Sequence, residues 1–134
     1  WRGFALPRLL AQRSGFVSSL FLGFMWGLWH LPGFLASGTP QSGISLPAFI
    51  LGAIGLSTLA TWVFQNSNGS VLMAALLHFM ANFALNALAA PMLPFALLLL
   101  AACIVIILVS PAPWFASPAS SEASRIPAGR PSGL

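Results

Sequence analysis

Two histidines and two asparagines stand inside stretches that are otherwise almost wholly apolar: His30 in GFMWGLWHLPGF, and His78, Asn82 and Asn86 in LLHFMANFALNAL. An imidazole can move a proton near neutral pH or bind a metal, and a carboxamide can donate to a developing oxyanion. Steps of four residues place His78, Asn82 and Asn86 on one face of one helix, above one another. Asn86 alone reads most simply as an interhelical hydrogen-bonding residue; the His78 and Asn82 pair is harder to explain that way. His30 has its own setting. Pro32 follows two residues later and predicts that the helix kinks or ends there. Carbonyls released at a helix C-terminus favour a hydrogen-bond-donating imidazole, and Trp26, four residues earlier, shares its face. The plainer reading of His30 is a capping residue at the membrane interface beside Trp29.

The set is incomplete for hydrolysis, since a water-activating base or a metal normally also needs a carboxylate. The sequence holds one acid, Glu122, in a stretch rich in proline and serine with no expected geometry relative to the cluster.

Around these residues the composition is that of a membrane protein. Hydrophobic residues make up 58% of the 134 and charged residues 4%, with a mean hydropathy of +0.93, whereas a soluble domain carries ~25% charged residues. Six charged side chains cannot cover a water-exposed surface. The net charge of +4 comes from Arg2, Arg8, Arg13, Arg125 and Arg130, near the two ends, which form no basic groove and speak against a nucleic-acid partner. Cys103 is the lone cysteine, which excludes an internal disulfide and a cysteine metal site.

The apolar pattern predicts an all-α polytopic bundle of about four transmembrane helices: Gly15 to about Leu35, Leu46 to Phe64, Val71 to Ala90, and a fourth from beyond Pro91 and Pro94 to about Val109. The short junction predicts that the third and fourth form an antiparallel hairpin. Residues 1–14 read as the end of a helix and a juxtamembrane turn, with Pro7 breaking any helix there. Residues 36–45 and 65–70 read as turns, and 110–134 as a disordered tail. All the arginines flank the outer spans, which places both ends in the cytoplasm of a multi-pass cell-membrane protein. Gly23 and Gly27 form a small-residue pair, and Gly52, Gly55 and Ser57 a second small face, both suited to close helix packing among lipids. Asn68-Gly69-Ser70 fits a glycosylation sequon, but its expected cytoplasmic location makes the match uninformative. The chain opens on Trp1 with no signal peptide before the first apolar run, and is expected to be a piece of a longer or processed protein.

Depth along the spans tests whether the polar groups can meet. At 1.5 Å per residue, His30 lies ~22 Å from the start of its span, Asn82 ~18 Å and His78 ~12 Å, each blurred by ~5 Å. His30 and Asn82 are expected at similar depth with His78 shallower, so a shared polar cavity is expected rather than a single tight ligand set.

Three segments together resemble the CPBP family of intramembrane proteases, which are related to CAAX prenyl endopeptidases and to abortive-infection and bacteriocin-immunity proteins. These are Trp1-Arg2-Gly3-Phe4-Ala5-Leu6-Pro7, Trp26-Gly27-Leu28-Trp29-His30-Leu31-Pro32 and His78-Phe79-Met80-Ala81-Asn82. The family's motifs are Glu-Glu-x-x-x-Arg, aromatic-x-x-x-His and His-x-x-x-Asn. Arg2 matches the end of the first as a supporting residue, Trp26 and His30 the second, His78 and Asn82 the third. Trp26 stands where phenylalanine is usual, and the paired glutamates would fall five and four residues before Arg2. The resemblance covers residues 1 to about 90. It implies a carboxylate that activates water against a peptide carbonyl, with His30, His78 and Asn82 positioning the water and stabilising the oxyanion. The family carries a metalloprotease label: a divalent metal such as zinc, with His30 and His78 as candidate ligands beside the glutamate, and metal-free catalysis by the glutamate are both open. The resemblance also implies a membrane-associated peptide or protein substrate, prenylated or otherwise, with lipids as surroundings, and no activity for this chain without its acid. The competing readings are an immunity or peptide-binding member without catalysis, and a proton- or metal-transporting bundle lined by the histidines and asparagines.

Overall fold

The computed structural model describes residues 1–110 and Trp114. Every regular element among them is helical: α1 (Ala5–Leu10), α2 (Gly15–Trp29), α3 (Leu31–Leu35), α4 (Leu46–Asn66), α5 (Val71–Ala87) and α6 (Met92–Val109). The chain is an all-α membrane protein. Of the described helices, α4 and α6 are each long and apolar enough to cross a bilayer, while α5 has 17 residues and α2 has 15. Of the expected tail, only Ser110 and Trp114 are among the described residues: Ser110 closes α6, its N–H donating to the Ile106 carbonyl at 2.8 Å, and Trp114 is buried edge-on against Phe16 at a ring separation of 5.8 Å.

Local chemistry sets the helix ends. Ser14 caps α2 and Ser70 caps α5, each hydroxyl accepting a backbone N–H three residues on at 3.3 Å, as N-cap serines do. After α4, Asn68 and Gly69 take positive φ values of 53° and 76°, and Gly69 N–H returns to the Phe64 carbonyl at 2.9 Å. Glycine adopts that conformation without a Cβ penalty. Pro7 does not break the helix at residues 1–14: it lies in the first turn of α1, where its missing N–H would have had no intrahelical partner. Pro94 is likewise accommodated in the first turn of α6.

The expected first span is not one helix. The chain turns at His30, which closes α2 and opens α3. Its N–H bonds back three residues to Gly27 at 3.2 Å, and its carbonyl accepts from Gly33 at 2.9 Å. Pro32 sits just beyond, at the second position of α3, where no N–H is needed.

The centre of the fold is α4, with α2 and α6 packed along it. Close approach depends on glycine. A Cβ at Gly23 would stand 2.6 Å from the Ile54 Cα, and one at Gly27 3.2 Å from the Ile50 side chain. On the α6 side, a Cβ at Gly55 would meet the Leu99 Cβ at 2.9 Å. Gly52, Gly55 and Ser57 do not share one face. The two glycines receive α6, whereas Ser57, roughly 200° further round from Gly55, donates to the Ser19 carbonyl of α2 at 2.8 Å. Cys103 also belongs to this seam, its thiol donating to the Gly55 carbonyl at 3.3 Å.

The helices of the expected hairpin, α5 and α6, do not pack closely along one another. Both helices rest on α4 instead, and a cavity opens between them, lined by His78, Asn82 and Leu85 on one side and Met92, Phe95 and Leu99 on the other. The small faces of α4 match α6, while α5 offers bulky side chains and buries only Ala74. Shape complementarity, not sequence adjacency, decides the pairing.

Candidate active site

His30 owes its place to the break between α2 and α3. Its Nδ1 lies 2.8 Å from the Trp26 carbonyl oxygen. A carbonyl can only accept, so Nδ1 carries the proton and a neutral His30 keeps its lone pair on Nε2. The ring is clamped by Trp26, Trp29 and Phe49, with centroids 5.8, 5.1 and 5.0 Å away. The sequence signals here, Trp26 four residues before and Pro32 two after, correspond to real constraints: one supplies the carbonyl, the other ends the helix.

The second contribution comes from α5. His78 packs edge-on against Trp26 at 4.8 Å, so the same indole touches both imidazoles. His30, His78, Asn82 and Asn86 all line one cavity of about 760 Å³, together with Trp26, Phe49 and the loop residues Gln41 and Ser45. The structure therefore brings the two histidines and Asn82 to one space, with Trp26 as the shared wall. Asn86 is tied to its own helix, its side-chain amide donating to the Asn82 carbonyl at 2.7 Å.

Arg2 stands on the other side of that wall. It lines a smaller cavity of about 260 Å³ with Trp1, Trp26, Leu56, Ala74 and His78. Its Nη1 donates to Thr61 Oγ1 at 3.1 Å. Burial pushes Arg2 down to about 10, which leaves it charged at neutral pH. Among the described residues no aspartate or glutamate accompanies it. Arg8, by contrast, turns to its own segment, stacking 3.6 Å over the Phe4 ring and donating to the Phe4 carbonyl.

His30 Nε2 and the His78 ring are what these residues could offer a metal, and the bond from His30 Nδ1 to the Trp26 carbonyl is of the kind that orients a ligating imidazole. No group of three His, Cys, Asp or Glu comes together among the described residues. Two imidazoles fall short of the three protein ligands usual for catalytic zinc. Two further residues at the site carry no motif. Gln41 reaches the cavity from a loop, for which the sequence holds no signal. Thr61 is a hydroxyl within an apolar span, a visible oddity whose partner lies 59 residues away.

Imidazoles and a carboxamide from separate helices of a membrane protein, turned on one cavity, define a polar centre placed among apolar helices. The chain belongs to the family described as Type II CAAX prenyl endopeptidase Rce1-like, whose family model matches residues 1–84. Arg2, Trp26, His30, His78 and Asn82 all fall within the matched stretch; Asn86 falls just outside it. The chain is also similar to CAAX prenyl protease 2 of Methanococcus maripaludis, 28% identical over 88 residues that make up 61% of this chain and 32% of the relative. It spans about a third of that relative's length. No solved structure matches.

Proposed function

We propose that this chain supplies the histidine and asparagine part of a membrane-embedded endopeptidase centre, acting on a membrane-associated protein or peptide of the kind the family's name denotes, prenylated proteins included. The observation that carries the reading is the convergence of His30, His78 and Asn82 on one cavity around Trp26. His30, with its proton held by the Trp26 carbonyl, offers Nε2 as an acceptor and orients the attacking water. A carboxylate, by the resemblance a glutamate preceding Arg2, takes the water's proton as its oxygen adds to the peptide carbonyl. The Asn82 amide and a donating His78 receive the oxyanion. Collapse of the tetrahedral intermediate breaks the C–N bond, and the proton held by the carboxylate passes to the leaving amine.

The test is mass spectrometry of products from the full-length protein in liposomes, offered a membrane-anchored peptide. Cleavage at one peptide bond, lowered ~100-fold in Asn82→Ala while that variant still retains the peptide, supports the reading. Retention of the peptide without cleavage by the unaltered protein would mean a binding protein instead. The same reading has both ends of the chain facing the cytoplasm, which the arginine distribution supports. Reporters fused at Ser42 and at the C-terminus are expected on opposite sides of the membrane; a shared side would remove a span.

A further inference from the structure

Three hydroxyls of α4, Ser57, Thr58 and Thr61, are buried inside the fold. Ser57 and Thr58 are used in packing. Ser57 bonds the Ser19 carbonyl at 2.8 Å, and Thr58 bonds the Ile54 carbonyl at 2.9 Å and lies 3.3 Å from the Ser19 hydroxyl. Thr61 differs. Its hydroxyl donates to the Ser57 carbonyl at 2.8 Å and accepts from Arg2 at 3.1 Å. A carbonyl only accepts, so the hydroxyl proton is committed to Ser57 and the oxygen lone pair is what meets the guanidinium. Thr61 is 0% exposed, which fixes this oxygen in place.

A guanidinium has five N–H donors in a rigid plane. The contact with Thr61 uses one edge, and Arg2 lines the cavity that also holds His78. Arg2 is half-buried and has donors beyond the one that Thr61 takes, and the bidentate match for a guanidinium is a carboxylate. Among the described residues none is present.

We propose that Thr61 is a positioning residue of the hydrolytic centre, holding the Arg2 guanidinium beside His78 so that it meets a carboxylate at a fixed place. The inference rests on the endopeptidase reading. The carboxylate comes from one of two sources, the general base itself or the peptide being cut, and kinetics distinguishes them.

The first arm needs no activity. Thermal melts of the full-length protein with Arg2→Met, Thr61→Val and both changes are expected to show a combined loss well below the sum of the two single losses, as interacting residues do. Additive losses would overturn the contact. The second arm measures kcat and KM in liposomes. Thr61→Val, which keeps the shape and loses the hydroxyl, is expected to lower kcat/KM about tenfold, the scale of one hydrogen bond to a charged group. Thr61→Ser is expected to restore it to within about threefold, since it returns the hydroxyl. If the peptide is the source, KM rises and a peptide ending in an amide is insensitive to Thr61→Val. If the base is the source, kcat falls for both peptides. Unaltered kinetics in Thr61→Val, with Asn82→Ala slowed ~100-fold in the same assay, would overturn the positioning role and leave the endopeptidase reading standing. An Asn82→Ala as active as the unaltered protein would remove that reading, and the proposed role with it.

Discussion

Helices α4 and α5 are neighbours in sequence, yet they are built to opposite ends. Ten residues of α4 are buried, among them Gly52, Gly55, Ser57, Thr58 and Thr61; on α5 only Ala74 is. Small side chains let α2 and α6 close onto α4, and hydroxyls stitch the seam. On α5 the large apolar groups Leu72, Met73, Phe79, Met80 and Phe83 stand exposed, and the polar stripe of His78, Asn82 and Asn86 runs along the open cavity. The division assigns rigidity to α2, α4 and α6, and chemistry to the margin where α5 meets them. His30 links the two regions. It is anchored on the packed side by its bond to Trp26 and faces the cavity that α5 completes.

The comparison breaks first at Gly23. Gly23→Leu would drive a side chain into the α4 backbone, 2.6 Å from where its Cβ begins, and is expected to destabilise the protein by about 3 kcal/mol. Thermal unfolding in detergent measures it; a melting curve like that of the unaltered protein would mean that the α2–α4 seam is not tight. Leu6→Ala comes next. Leu6 is 0% exposed in a core cluster with Leu22, Ala60, Phe64 and Ala74, and its truncation is expected to cost about 2–3 kcal/mol. Phe79→Ala, on the exposed face of α5, is expected to stay within about 0.5 kcal/mol in the same melts. A loss at Phe79 equal to that at Leu6 would place α5 within the rigid part. Amide hydrogen exchange sharpens the contrast: the middle of α4 should exchange more slowly than the middle of α5, because local opening follows local packing.

Much of this arrangement is legible in the sequence, and what is not has physical reasons. Polar residues in apolar runs stand out whatever the fold, so His30, His78 and Asn82 are found by type and spacing. Pro32 announces the end of α2. The pairing of helices is a different matter. Nothing in the Pro91 junction says that α6 will prefer the glycines of α4 to its sequence neighbour α5, since that choice depends on three-dimensional fit. Ser57 was expected beside Gly55 and belongs to the opposite seam, because two residues along a helix are more than half a turn apart. Pro7 misleads because a proline in a first turn looks like one that prevents a helix. The Arg2 contact with Thr61 joins residues 59 apart, beyond any local pattern.

The central claim is that His30, His78 and Asn82 form one hydrolytic centre, of which Asn86, on the same helix face, is not a part. Turnover of a membrane-anchored peptide by the full-length protein, compared between Asn82→Ala and Asn86→Ala, tests it most directly. Asn82→Ala is expected to lower turnover by ~100-fold, the scale of a lost oxyanion donor, and Asn86→Ala by less than about threefold, since it loses one hydrogen bond within its own helix. Equal damage by the two, with both variants still folded, would contradict the claim and mark the stripe as a continuous polar path through the membrane.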